Sequence, residues 1–269
     1  MIYSVRRVYI KNFQERAGRN IFDDPPNNID REYLFYFLRE YLYTVIHMIL
    51  LFLDYLFTPF GFALRKRKIN QEARRDGKPV VLIHGYMMRG GVLWPLKRFL
   101  EKQGFKEVIL FTCEMPWKRI EYFAEQLKEE IDSLTREHKV DIVAHSMGGL
   151  VARYYINFLG GHLKVDNLIT LGTPHQGTLL WALSSFKCGA QMRPASNFLT
   201  RLAEADDQFL SKVRTAALSA DFDAIVIPFD HCNLPDGRVT NRKLPFLGHV
   251  GLIMNRQSRE LVAQFLKDS

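Results

Sequence analysis

The run Lys139-Val140-Asp141-Ile142-Val143-Ala144-His145-Ser146-Met147-Gly148-Gly149-Leu150-Val151 decides how the rest of the chain is read. Val140 to Ala144 is short, apolar and β-branched, which suits a buried strand. Gly148 and Gly149, followed by Leu150, Val151 and Ala152, suit a helix that begins directly after Ser146. A strand therefore turns into a helix at one serine. The stretch follows the G-x-S-x-G pattern with Ala144 in place of the first glycine, so both flanking positions stay small, as a tight turn requires. A serine held this way is strained and exposed at the carboxyl edge of a parallel sheet, and the first amides of the following helix point at whatever it attacks. The arrangement suits acyl transfer.

Working outward, Pro79-Val80-Val81-Leu82-Ile83-His84-Gly85-Tyr86 reads as a buried strand ending in His-Gly. Such an end leaves the next backbone N–H free to face the serine and act as one oxyanion donor. Val92 to Gln103 reads as a helix and Glu107 to Thr112 as a second strand. Ile120 to His138, apolar at 120, 123, 124, 127, 131 and 134, reads as an amphipathic helix returning to the serine strand. Strand, helix, strand, helix is the order of a parallel, doubly wound α/β sheet. Val165 to Leu171 is a further strand, ending Gly172-Thr173-Pro174-His175-Gln176-Gly177-Thr178. Leu179 to Ala220 reads as short helical pieces without a strand. Phe222 to Phe229 reads as the next strand, ending at Asp230, then Arg242 to Leu247 as a last one and Ser258 to Leu266 as a closing helix.

Several of these segments resemble those of α/β-hydrolase fold lipases and esterases. Ala144-His145-Ser146-Met147-Gly148-Gly149 is similar to the nucleophile elbow of small bacterial triacylglycerol lipases. The run Leu171-Gly172-Thr173-Pro174-His175-Gln176-Gly177-Thr178 resembles the segment after their next core strand. Gln191 to Leu199 and Gly248-His249-Val250-Gly251-Leu252 also look like recurring lipase segments. The resemblance covers roughly residues 79 to 266, about seven tenths of the chain. It implies carboxylic ester hydrolysis with a lipase bias, through Ser146 as nucleophile, Asp230 as acid and His249 as base, with the backbone N–H groups of Tyr86 and Met147 as oxyanion donors. Asp230 is chosen because the acid of this fold stands just past a strand and Pro235 follows; Asp236 is the runner-up. His84 and His175 are read as structural, His175 because it comes too soon after the serine for the order Ser, Asp, His. Leu179, Leu180, Trp181, Leu183, Phe186, Met192, Phe198 and Leu199 either line an acyl cleft or cap, at about 179–220, or pack as ordinary helices.

The remainder, residues 1–78, lies outside the resemblance and is read as a basic, hydrophobic helical extension to a catalytic domain at 79–269. The chain carries +8 at pH 7, and residues 1–78 hold fourteen Lys/Arg against nine Asp/Glu, so most of the excess is there. An anionic surface is the implied partner. No nucleic-acid motif accompanies the charge, whereas an apolar aromatic stretch over Glu32 to Leu64 does, followed by Arg65-Lys66-Arg67-Lys68. Its cleanest piece, Tyr41 to Leu53, falls short of the ~20 residues a spanning helix needs. Read as a helix, it carries Glu40, His47 and Asp54 at seven-residue steps on one face. Such a helix lies in a membrane interface, spans with its stripe against protein, or docks on the hydrolase. Residues 31–68 are thus expected to meet a membrane surface with the catalytic domain on the cytoplasmic side, and no signal peptide is visible before them. Cys113, Cys188 and Cys232 lack paired spacing, and nothing suggests a metal or organic cofactor. Acyl transfer to an alcohol, thioester hydrolysis and a non-catalytic membrane scaffold remain as alternatives.

Overall fold

The structure, a computed structural model, describes residues 31–65, 78–112, 117–134, 138–234 and 239–268. Cys113, Pro235, Asp236, residues 1–30 and the basic residues Lys66-Arg67-Lys68 lie outside them. In chain order the elements are α1 (Arg31–Arg65), β1 (Val80–Ile83), α2 (Trp94–Lys102), β2 (Val108–Phe111), α3 (Ile120–Leu134), β3 (Val140–His145), α4 (Met147–Phe158) and β4 (Val165–Leu171). There follow α5 (Lys187–Gln191), α6 (Asn197–Asp206), β5 (Arg214–Ala220), β6 (Thr240–Leu244), α7 (Gly251–Met254) and α8 (Arg256–Lys267).

All six strands run parallel in the order β2-β1-β3-β4-β5-β6. In β1 the side chains alternate: Val81 and Ile83 join the core beneath α3 and α4, while Val80 and Leu82 join the core beneath α2 and α8. Both faces are therefore covered, and strands buried on both sides read as continuous apolar runs. The chain passes from β1 to β2 on one face and from β2 to β3 on the other, so winding reverses between β1 and β3. The carboxyl ends of those two strands flank a crevice, the place where open α/β sheets hold their ligands. Ile83 pairs with Ala144 there, which brings the His84-Gly85 end of β1 beside Ser146.

Two departures from the sequence reading matter. The strand expected over Phe222 to Phe229 is absent; that segment forms bends and a short turn of helix at Phe229–Cys232. The strand is instead β5, inside the stretch read as strandless. Arg214-Thr215-Ala216-Ala217-Leu218-Ser219-Ala220 has mostly small side chains, whose fit between β4 and β6 outweighs their weak strand preference. Within the same stretch, Met192, Phe198 and Leu199 pack in the core beside α4, as ordinary helix packing, while Leu183 is exposed.

Helix α1 docks on the sheet's domain through its polar stripe. Asp54 Oδ2 accepts from Gly91 N at 2.8 Å, His47 Nε2 lies 3.2 Å from Met88 Sδ, and Leu51 reaches the core beneath α2. Leu38, Leu42, Val45, Ile49, Phe52 and Leu56 fall on the opposite face and are exposed. Among the described residues no helix is long and apolar enough to cross a membrane.

Candidate active site

Ser146 ends β3 and opens α4 with φ 55° and ψ −130°, a backbone conformation that a non-glycine residue adopts only when its surroundings impose it. Those surroundings are specific. Ser146 N donates to Leu171 O at 2.9 Å, and its carbonyl accepts from Thr173 Oγ1 at 2.8 Å. The first helical turn can approach the end of β1 because position 148 is glycine: a Cβ there would lie 2.6 Å from His84 O. Gly85 faces Ser146 so closely that a Cβ on it would stand 3.3 Å from Ser146 Oγ. Tyr86 follows at once, its hydroxyl 2.6 Å from Ser184 Oγ. Met147 opens α4, so its N–H is one of the first-turn amides that no intrahelical carbonyl can take.

His249 is brought to the same place by the loop between β6 and α7. Its ring lies over Gly172, the residue after Leu171, and packs against His145 with centroids 4.6 Å apart. Its Nδ1 meets Asp223 Oδ2 at 2.7 Å, with both side chains buried. The Asp223 carboxylate has no freedom to turn: Oδ1 accepts from Ile225 N and Val226 N, each at 2.8 Å, closing a side-chain-to-backbone turn directly after β5. Because a carboxylate accepts, Nδ1 is the donor of this pair, and in the neutral imidazole it is Nε2 that keeps the lone pair. That Nε2 is buried and has no hydrogen-bond partner among the described residues.

The acid expected at Asp230 is therefore corrected: the structure pairs His249 with Asp223, while Asp230 is exposed in the turn Phe229–Cys232. The error follows from the misplaced strand. The carboxylate was expected just past a strand, but the strand there is β5, and Asp223 is the carboxylate that follows it within three residues. The sequence signal is Asp223 ahead of Ala224-Ile225-Val226-Ile227-Pro228, a carboxylate opening an apolar run that ends in proline. The runner-up, Asp236, lies outside the described residues.

Histidines crowd the site without sharing its role. His145 is fully buried, with Nε2 3.2 Å from His249 O; burial pushes its pKa well down, and His249, His47 and His84 add to that. His84 Nδ1 bonds its neighbour's carbonyl, Gly85 O, at 2.8 Å. His175 accepts from Arg153 Nη1 on Nδ1 at 3.2 Å and so donates from Nε2 to Thr170 Oγ1 at 2.9 Å, held neutral by burial and by the guanidinium. Arg153 in turn pairs with Asp206, which also accepts from Asn157 Nδ2 at 2.8 Å, tying α4 to α6 and to the Thr173–Thr178 loop. His47, unassigned in the sequence reading, arrives from α1; burial lowers its pKa to about 4, and His249 is near enough to contribute. Cys188 and Cys232 are buried thiols outside any disulfide among the described residues, and burial raises their pKa, which makes them poor nucleophiles.

With the geometry in place, the likenesses fall into line. A family model described as palmitoyl protein thioesterase matches residues 79–206. Triacylglycerol lipase 2 of Saccharomyces cerevisiae is 33% identical over 92 residues, a stretch that makes up 31% of this chain and 27% of the yeast protein. The chain thus spans about a quarter of that relative. Lipase B of Aspergillus fumigatus superposes with a TM-score of 0.65 at 19% identity, covering 74% of this chain and 55% of the other. A Bacillus licheniformis lipase in its mature form gives 0.59 at 18%, covering 71% and 93%. At these identities the solved structures speak for the fold. On the sheet order, the strained serine and these likenesses together, the chain belongs to the α/β-hydrolase fold and is similar to its lipases and esterases.

Proposed function

We propose that the chain is a serine hydrolase that cleaves carboxylic esters of lipids through an acyl-enzyme on Ser146. The observation that carries this reading is the Asp223–His249 pair, which leaves a buried Nε2 without a hydrogen-bond partner among the described residues, at the same sheet edge as the strained serine. A serine hydroxyl is a weak nucleophile, so His249 Nε2 takes its proton as Oγ attacks the carbonyl. Asp223 holds the imidazole in the useful tautomer and stabilises its cation. The tetrahedral oxyanion is met by the N–H groups of Tyr86 and Met147, and collapse expels the alcohol with the proton from His249. Water repeats the cycle to free the acid. Hydrolysis of p-nitrophenyl butyrate by the full chain tests this: turnover that Ser146→Ala removes supports it, and equal turnover in that variant overturns it.

Thioester hydrolysis is the second reading, favoured by the match over residues 79–206 to the palmitoyl protein thioesterase model. It uses the same groups and differs in the leaving thiol, so parallel assays on an acyl ester and the corresponding acyl thioester separate the two. The substrate is drawn from a membrane in either case. The outer face of α1 presents Leu38, Leu42, Val45, Ile49, Phe52 and Leu56 to solvent, and the sequence continues into Arg65-Lys66-Arg67-Lys68. An apolar stripe beside a basic cluster matches an anionic lipid surface, with the catalytic domain on its cytoplasmic side. Flotation with vesicles of phosphatidylcholine and phosphatidylglycerol, weakened by Phe52→Ser and by salt, supports this; self-association without vesicle binding points to a second copy on that face.

A further inference from the structure

The polar groups on the inner face of α1 converge on the loop that carries the base. Tyr36 stacks on Phe246 with ring centroids 4.5 Å apart, and Arg39 Nη2 donates to the Phe246 carbonyl. Phe246 itself stands at φ 57°, a backbone conformation that a bulky residue keeps only when it is held. Glu40 follows, with Oε2 turned to Gly248 and Oε1 lying against Gly251 without a hydrogen-bond partner among the described residues. A Cβ on either glycine would run into the carboxylate, at 2.6 Å in the case of Gly248. Burial raises the Glu40 pKa, while the backbone of both glycines and the Arg39 guanidinium pull it back. His249 lies between these two glycines in sequence, so Glu40 spans the backbone on both sides of it.

We infer that α1 is a working part of the site and that Glu40 is a positioning residue: its carboxylate fixes the backbone of residues 248 to 251 and so sets where His249 Nε2 stands relative to Ser146. The inference rests on the serine hydrolase reading above. Asp223 fixes the rotation of the imidazole but not the loop that carries it; the loop is the part Glu40 holds. Glu40 acts on the base through the main chain, so its loss should slow proton transfer without changing how a short ester binds. A displacement of the order of 1 Å in a catalytic group costs about 10²-fold in rate.

The test measures kcat and KM for p-nitrophenyl butyrate, and the rate of fluorophosphonate labelling of Ser146, in the full chain. Glu40→Ala should lower kcat by about 10- to 100-fold with KM within about twofold, and should slow labelling by the same factor. Glu40→Gln keeps one carbonyl oxygen for an amide and should recover most of the loss, and Glu129→Gln, exposed on α3, should match the wild type. Wild-type kcat and labelling in Glu40→Ala overturns the inference, as does an equal loss in Glu129→Gln. Should Glu40→Ala fail to fold, Glu40→Asp carries the test: the carboxylate is drawn back by one methylene, and a lower kcat at unchanged Tm supports the role, whereas wild-type kcat refutes it. A wild-type chain that neither turns over the ester nor labels at Ser146 sinks the hydrolase reading and this one with it. Activity in both wild type and Glu40→Ala sinks this one alone.

Discussion

Helices α4 and α1 are both rich in apolar residues, yet they turn opposite faces to the sheet. Leu150, Val151, Ala152, Tyr155 and Ile156 of α4 are buried, and its one buried cation, Arg153, is paired with Asp206. Such a helix is held by its core, since each fully buried large apolar side chain contributes about 1.5–3 kcal/mol. In α1 the apolar face points outward, and docking rests on Tyr36, Arg39, Glu40, His47 and Asp54, with Leu51 reaching the apolar core. Net hydrogen-bond contributions are about 0.5–1.5 kcal/mol each, so α1 is the more weakly held. Ser146 therefore stands at the start of a fixed helix, whereas the loop of His249 leans on one that is more weakly held.

The largest expected effect lies on the fixed side. Ser146→Ala should remove ester hydrolysis, by a factor on the order of 10⁶ in kcat, with no loss of Tm. Next, Asp206→Ala should destabilise the fold by about 3–5 kcal/mol in denaturant unfolding, because it leaves the Arg153 guanidinium buried and uncompensated. A small change there would mean that α4 is not anchored as described.

Smaller effects belong to α1. Burial lowers His47 to about 4 from the ordinary 6.5, so between those values the unfolded chain binds more protons than the folded one. Stability from this group is complete above pH 6.5 and is lost as pH falls toward 4, about 2 kcal/mol between pH 7 and pH 5. His145 and His175, lowered for the same reason, add to the slope. His47→Gln should therefore flatten the dependence of unfolding free energy on pH without abolishing it; an unchanged slope would show that His47 is not buried neutral. Asp54→Ala should be smallest, costing about 1 kcal/mol through the bond to Gly91 N. A loss as large as that of Asp206→Ala would erase the distinction between the two helices.

What could be read in advance follows the same division. Ser146, His249 and the strands β1 to β4 were legible because their signals are local: apolar runs that stop at glycine, and a serine between small residues. The polar stripe of α1 was also visible, but periodicity does not say which face docks; the contacts of Glu40, His47 and Asp54 decide it. The carboxylate that pairs with His249 was missed because local preference and tertiary packing disagree. Phe222 to Phe229 has the composition of a strand, yet Asp223 Oδ1 captures the amides of Ile225 and Val226 and turns the chain. Arg214 to Ala220 looks weak alone and becomes a strand because β4 and β6 leave room for small side chains.

The most direct test of the account is the rate at which a fluorophosphonate labels Ser146 in the wild type, Asp223→Asn and Asp230→Asn, with the adduct located by mass spectrometry. The account predicts an adduct on Ser146, a wild-type rate in Asp230→Asn, and a rate lower by several orders of magnitude in Asp223→Asn, up to about 10⁴ as for other acids of this role. A slow Asp230→Asn beside a normal Asp223→Asn, or no adduct on Ser146 in folded wild-type protein with vesicles present, would contradict it.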